Sequence, residues 1–262
     1  MTENLFRLGD AAADDAAASR LVCFPYAGGS ARIFRSWPAV AGRDVSVLSV
    51  VLPGRGVRLR DRLEEDIRTL ARGIVDDLLR VATDRPFGFF GHSMGGLVAY
   101  ECVLELVRRG ATTPDVLAMA STPAPDVVPV LASDAGGTDS DGQIQARMQA
   151  LGTDSAEILD HGAAMAMLLP GIRADFRAFD TYRHGQEPPV SVPILAWAGT
   201  RDHFVPPAYV AAWAAYTTGT FRMTTVPEGH SYIEEQAWQI VPRVVRVLGK
   251  SPQAMENGSP DA

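Results

Sequence analysis

A serine hydroxyl attacks a carbonyl usefully only when a base removes its proton, so a serine at a tight turn with a histidine and a carboxylate downstream is a pattern with chemical meaning. Ser93 supplies the first part. The run Phe87-Gly88-Phe89-Phe90-Gly91-His92-Ser93-Met94-Gly95-Gly96 reads as an apolar strand, a turn and a helix, with Ser93 at the apex between Gly91 and Gly95. Small neighbours let strand and helix approach closely enough to present the hydroxyl from a strained backbone. A bare G-x-S-x-G arises easily by chance, but between a buried strand and a helix it is a strong signal.

The base and the acid follow in the chain. His230, in Pro227-Glu228-Gly229-His230-Ser231, falls between the last expected strand and the last helix, where a loop at the C-terminal edge of a parallel sheet faces the elbow. Four other histidines compete. His92 is fixed beside the serine and cannot easily turn to it, His161 and His184 fall in an inserted region, and His203 reads as a solvated loop residue. Asp202 ends Ile194-Leu195-Ala196-Trp197-Ala198-Gly199-Thr200-Arg201-Asp202, just past a strand, where it can accept the imidazole N–H and hold the useful tautomer. The bland alternative for Asp202 is a helix cap ahead of Pro206. Asp126 also follows a strand and is the second candidate acid. Upstream, Phe24-Pro25-Tyr26-Ala27-Gly28-Gly29-Ser30 leaves a strand in a glycine-rich turn able to aim a backbone N–H at an oxyanion, alongside the N–H of Met94. Phosphate binding by this turn lacks the lysine of a P-loop and the spacing of a dinucleotide fingerprint.

These residues need a frame, and the hydropathy pattern describes one. Apolar runs at Leu21–Phe24, Val45–Leu52, Phe87–Phe90, Val116–Ala120, Ile194–Ala198 and Phe221–Val226 alternate with amphipathic stretches at Ile67–Val81, Gly95–Arg109, Pro206–Tyr216 and Glu234–Leu248. That alternation is how a mostly parallel sheet covered by helices on both faces is written. With the elbow, it predicts an α/β architecture, the α/β-hydrolase fold, in one domain spanning 1–262. Residues 123–186 are too long for a simple connection and read as an inserted helical lid with helices at Gln143–Leu151 and Ala163–Tyr182. Within it Met165, Met167 and Phe176 lie on an apolar face expected to line an acyl chamber. Residues 132–142 read as its hinge, which predicts that the lid is the most mobile ordered part. Residues 1–18 and 251–262 read as frayed tails.

A net charge of −7 disfavours nucleic acid, and no apolar run approaches the length that spans a bilayer, so a cytoplasmic protein is expected. The two cysteines, Cys23 and Cys102, lie in apolar runs and are expected to pack as small hydrophobes, with no metal site.

On these blocks the chain resembles the type II thioesterases of polyketide and nonribosomal peptide assembly lines. The resemblance is carried by Cys23-Phe24-Pro25-Tyr26-Ala27-Gly28-Gly29, Leu52-Pro53-Gly54-Arg55-Gly56, the elbow, Leu169-Pro170-Gly171-Ile172-Arg173-Ala174-Asp175-Phe176, Thr181-Tyr182-Arg183, Gly199-Thr200-Arg201-Asp202 and Gly229-His230. It implies hydrolysis of acyl groups from the phosphopantetheine arm of acyl or peptidyl carrier proteins. It further implies Ser93, Asp202 and His230 as the triad, the N–H groups of Ala27 and Met94 as the oxyanion hole, Tyr26 among the substrate contacts, no cofactor of the chain's own, and a monomer. Two departures stand out: Gly96 where alanine is usual, and Ser231-Tyr232-Ile233 where aromatic residues are common. Both bear on the floor of the acyl pocket. Arg32, Arg35, Arg55 and Arg58 follow the oxyanion-side loops and are candidates for the phosphate of the arm. Three other readings use the same residues: an acyltransferase or cyclase, a carboxylesterase, and a silent binding module.

Overall fold

The computed structural model describes residues 4–9, 16–81, 83–134, 140–152 and 162–249. Seven strands form one sheet: β1 (Leu5–Leu8), β2 (Ser19–Phe24), β3 (Val45–Val50), β4 (Phe87–His92), β5 (Leu117–Ala120), β6 (Ile194–Gly199) and β7 (Phe221–Val226), in the order β1-β3-β2-β4-β5-β6-β7. All neighbours pair in parallel except β1, which runs antiparallel to β3 on the edge. This is the mostly parallel, helix-flanked sheet expected from the hydropathy pattern.

Strands buried on both faces lose the polar alternation of half-exposed ones. In β2, Val22 and Phe24 enter the core on one face, with helices α2 (Ile67–Val81) and α3 (Met94–Arg108), whereas Leu21 and Cys23 enter the other, with Trp37 and helix α8 (Ala237–Val245). Helix α2 shows why a sequence can announce a surface helix. Ile67, Leu70, Ala71, Ile74, Val75 and Leu78 fall at helical spacing and are buried.

The short helices are α1 (Trp37–Ala41) and α7 (Pro207–Ala211), the latter continued by a 3₁₀ turn over Ala212–Tyr216. Between β5 and β6 the insertion contains α4 (Val128–Asp134), α5 (Asp141–Ala150) and α6 (Gly162–Thr181). Helix α5 opens on a capping box, in which Ser140 and Gln143 satisfy each other's backbone N–H groups. Pro170 sits inside α6, where its ring denies the helix one hydrogen bond.

The expectation for residues 1–18 is corrected: Leu5–Leu8 is a strand, with Leu5 buried and Phe6 39% exposed. Asn4 anchors it, donating from its backbone N and its Nδ2 to the buried Asp77 carboxylate of α2 at 2.9 and 2.8 Å. Helix α4 also goes beyond the expected pattern. Residues 251–262, part of the expected hinge (135–139) and His161 lie outside the described residues.

Candidate active site

Ser93 ends β4 and caps α3 with φ 54° and ψ −122°, a conformation that costs an L-residue of order 1–3 kcal/mol. The glycines around it meet this demand sterically. A Cβ on Gly91 would lie 2.4 Å from Gly96 Cα, and one on Gly95 only 2.2 Å from the Phe24 carbonyl oxygen. Nothing larger fits. Gly96 is explained by its neighbour Thr122, since a Cβ there would sit 2.2 Å from Thr122 Oγ1. Thr122, fully buried beside Gly96, donates to the Ser93 carbonyl at 3.1 Å, and neither residue is among those lining the cleft beside Ser93.

The loops after β6 and β7 bring the other two groups to this serine. His230 Nε2 lies 3.0 Å from Ser93 Oγ, and its Nδ1 lies 2.8 Å from Asp202 Oδ2. The second carboxylate oxygen, Asp202 Oδ1, accepts the amides of Phe204 and Val205 at 3.0 and 2.8 Å. Of the two roles weighed for this residue, the histidine partner is the one filled; the helix after it is capped by Pro206 without a side-chain hydrogen bond, and Asp202 closes only the turn before it. Burial pushes the Asp202 carboxyl up, but the hydrogen bond and charge of His230 and the Val205 amide outweigh it and hold the group below the usual aspartate value. Asp126, the competing acid, is exposed and receives nothing from His230; its backbone N–H donates to Tyr216 Oη at 3.2 Å.

His92 has a task of its own. A carbonyl can only accept, so its Nε2 carries the proton it gives to the His230 carbonyl at 2.9 Å, fixing the catalytic loop from beneath. Burial, then the like charge of His230, push its pKa down to about 3, so it stays neutral beside His230. Tyr26 stacks edge-on over its ring at 5.3 Å. His203 is exposed, as expected, and His184 lies 3.8 Å from Glu187.

On the oxyanion side, the Gly28 amide donates to Asp175 Oδ2 at 2.8 Å and the Gly29 amide to the Tyr26 carbonyl at 2.8 Å. Asp175, on α6, also takes an ion pair from Arg55 at 2.6 Å, with both side chains more than nine-tenths buried. Arg55 donates onward to the Gly29 and Pro53 carbonyls at 3.0 and 3.2 Å. Gly54 (φ +82°) and Gly171 meet backbone to backbone, where a Cβ on Gly54 would lie 3.0 Å from Gly171 Cα. Three segments distant in sequence are thus locked into one unit: the glycine-rich loop after β2, the Pro-Gly-Arg turn and the second half of α6. Sequence reasoning offered Arg55 as a phosphate contact, and the structure corrects this, since its guanidinium is buried and occupied. Arg58 is likewise engaged by Asp61 and Asn4.

The cleft is lined by Tyr26, Ala27, Ser93, Met94, Phe204 and His230, and by Arg147, Leu151, Phe176 and Phe179 of the insertion. Phe176 and Tyr26 are therefore where the sequence put them. Met165 and Met167 are not. Met165 is buried along a separate cleft with Asp141, Gln145 and Arg173, and Met167 is 59% exposed. The apolar stripe of α6 is real, but its first half points away from Ser93. Sequence reasoning missed Arg147, which has no motif to mark it. Among the described residues no His, Cys, Asp or Glu cluster has metal-site geometry, and no helix is long and apolar enough to cross a membrane.

A family profile for the thioesterase domain matches residues 19–251. The chain belongs to the thioesterase family. Thioesterase PikA5 of Streptomyces venezuelae is 31% identical over 248 residues, which cover 94% of this chain and 84% of that one. Among solved structures, RedJ, a thioesterase from the prodiginine pathway of Streptomyces coelicolor, superposes with TM-score 0.80 at 36% identity, covering 90% of this chain and 87% of that one. YbtT, a type II thioesterase from the yersiniabactin NRPS/PKS pathway, gives 0.78 at 27%, covering 92% and 96%. This thioesterase is accordingly a hydrolase acting on thioesters, with the α/β-hydrolase architecture its elbow implied.

Proposed function

We propose that this thioesterase is a type II enzyme that hydrolyses acyl groups from the phosphopantetheine arm of carrier proteins in polyketide or nonribosomal peptide biosynthesis. The observation that carries the reading is the His230 bridge, 3.0 Å to Ser93 Oγ and 2.8 Å to Asp202 Oδ2, at the floor of a cleft walled by aromatic rings. His230 takes the Ser93 proton as the oxygen attacks the thioester carbonyl, and Asp202 stabilises the imidazolium. The oxyanion is received by two backbone N–H groups. One is Met94, the first residue of α3 and so without an intrahelical partner. The other is Ala27, beside the committed amides of Gly28 and Gly29. The C–S bond breaks, His230 returns its proton to the departing sulfur, and Ser93 is left acylated. Water then attacks this ester with His230 as base, releasing the free acid and restoring the serine. Arg32 and Arg35 are both exposed cations after the glycine-rich loop, Arg35 within 3.5 Å of Glu234, which leaves them as candidates for the phosphate of the arm.

Incubation with a panel of acyl-loaded carrier proteins, read by mass spectrometry, tests the reading. Free acid together with an acyl adduct on Ser93 is expected. Cyclised or transferred product would make the enzyme an acyltransferase, and turnover of oxygen esters at the rate of matched thioesters would make it a general esterase.

A further inference from the structure

Arg147 is the one cation among the residues lining the catalytic cleft, and nothing in the triad chemistry uses it. It reaches the cleft from α5, with its side chain 5% exposed. Its two terminal nitrogens, Nη1 and Nη2, bind Asp180 of α6 end-on, each at 2.8 Å. The plane of the guanidinium lies over the Phe176 ring at 4.3 Å, with Phe179 and Phe204 each at 5.8 Å. Phe204 in turn stands edge-on to His230 at 5.6 Å, so Arg147 is one aromatic ring removed from the catalytic base. The remaining nitrogen, Nε, is fully buried and its N–H has no partner among the described residues. A buried charged donor left unpaired is costly, and such a group in a native fold calls for a ligand that completes it.

We propose that Arg147 is a specificity determinant that selects acyl groups carrying a neutral oxygen acceptor, a keto or hydroxyl group, along the chain beyond the thioester carbonyl. The choice of a neutral acceptor follows from Asp180, whose carboxylate already balances the guanidinium charge, so the free N–H offers a directed hydrogen bond without net attraction for an anion. The Phe176 ring 4.3 Å from the guanidinium carbon, with Phe179 and Phe204 close by, narrows the approach to it, which favours a slim acyl chain. This inference rests on the thioesterase reading and adds the class of acyl group.

The test compares acyl thioesters of N-acetylcysteamine in matched pairs, butanoyl with 3-oxobutanoyl and 3-hydroxybutanoyl, and hexanoyl with 5-oxohexanoyl, plus malonyl for the anion. Each kcat/KM is divided by the hydroxide-catalysed rate of the same thioester, which removes intrinsic reactivity. The wild-type enzyme should favour an oxygenated member over its plain partner by about tenfold, the worth of one hydrogen bond from a charged donor. In the double variant Arg147→Met/Asp180→Asn, which keeps volume and leaves no orphan carboxylate, that ratio should fall to near one whatever happens to the absolute rates. Loss of a purely structural clamp between α5 and α6 would slow all substrates alike and leave the ratio intact, overturning the proposal. A wild-type ratio near one at both positions would also overturn it, even if the variant proved insoluble, because a bond to the arm shared by every substrate cannot discriminate. Preference for malonyl would overturn the neutral-acceptor assignment. Failure of the wild type to hydrolyse any of these thioesters would instead count against the thioesterase reading itself.

Discussion

The two sides of the cleft are built on different principles. On the catalytic side, Ser93, His230 and Asp202 are positioned by backbone: a strained φ of 54°, glycines that admit no Cβ, and amides and carbonyls that fix each ring and carboxylate. On the lid side, Arg147, Phe176 and Phe179 are positioned by side chains packing between two helices, with one end-on ion pair between them. A backbone-defined wall has a single arrangement, as acyl transfer requires. A side-chain-defined wall can change with each substitution, as choice of acyl group requires. On the proposed reading, chemistry and selectivity rest on separate parts of the fold, and the comparison can be broken in order of expected size.

The largest effect belongs to Ser93→Ala. Turnover should fall by about a millionfold, as for loss of the nucleophile in other serine hydrolases, while the melting curve stays cooperative. A variant with a tenth of wild-type activity would remove Ser93 from the mechanism. Asp202→Asn should cost about ten-thousandfold by spoiling the tautomer of His230, against little for Asp126→Asn. The reverse ranking would exchange the acid.

Next comes the unit joining the two sides. Asp175→Ala leaves Arg55 charged and buried, and should destabilise the fold by about 3–5 kcal/mol in denaturant unfolding. The double variant Arg55→Met/Asp175→Leu should recover much of that stability but not the kcat, because the Gly28 amide still lacks its acceptor. Full recovery of kcat would show that the pair serves packing alone.

Smaller still is a pH effect from His92. Its pKa is near 3 in the fold and near 6.5 unfolded, so the unfolded chain takes up a proton that the folded chain refuses. Stability contributed by neutral His92 is complete above pH 6.5 and is lost as pH falls toward 3. Between pH 6.5 and 4.5 this is about 2 kcal/mol, and His92→Gln should flatten that part of the profile. The Asp202 contribution is lost only below the ordinary aspartate range, outside this window. The smallest contrast lies along α6: Phe176→Trp should change the preference between short and long acyl thioesters, whereas Met167→Trp, out in solvent, should not.

The same division explains what could be read from the chain. The elbow was legible because its glycines and strand-turn-helix order are local, and His230 and Asp202 were legible because strand ends in a parallel sheet share one edge. The sequence preferred Asp202 to Asp126 although both follow a strand, and in three dimensions only Asp202 meets the imidazole. The Arg55–Asp175 pair escaped because its partners are 120 positions apart and a local reading assigns arginines to solvent. Helical periodicity gave α6 its apolar stripe but could not say which neighbour each turn faces, so it placed at the acyl chamber both Met165, which lines a separate cleft, and Met167, which faces solvent. Strand β1 escaped because four residues with an exposed phenylalanine look like a tail until Asn4 finds Asp77.

Cys23 and Cys102, the only thiols in the chain, are both fully buried, and burial raises each well above the ordinary thiol pKa. Neither is poised as a thiolate, so the native protein should be silent toward thiol-reactive dyes. Every thiol that such a dye detects during turnover would then be a leaving group, and a colorimetric assay could follow the reaction continuously without poisoning the enzyme. The same silence makes Met167→Cys a selective attachment point on the lid for a fluorophore or spin label, with no native cysteine to remove first.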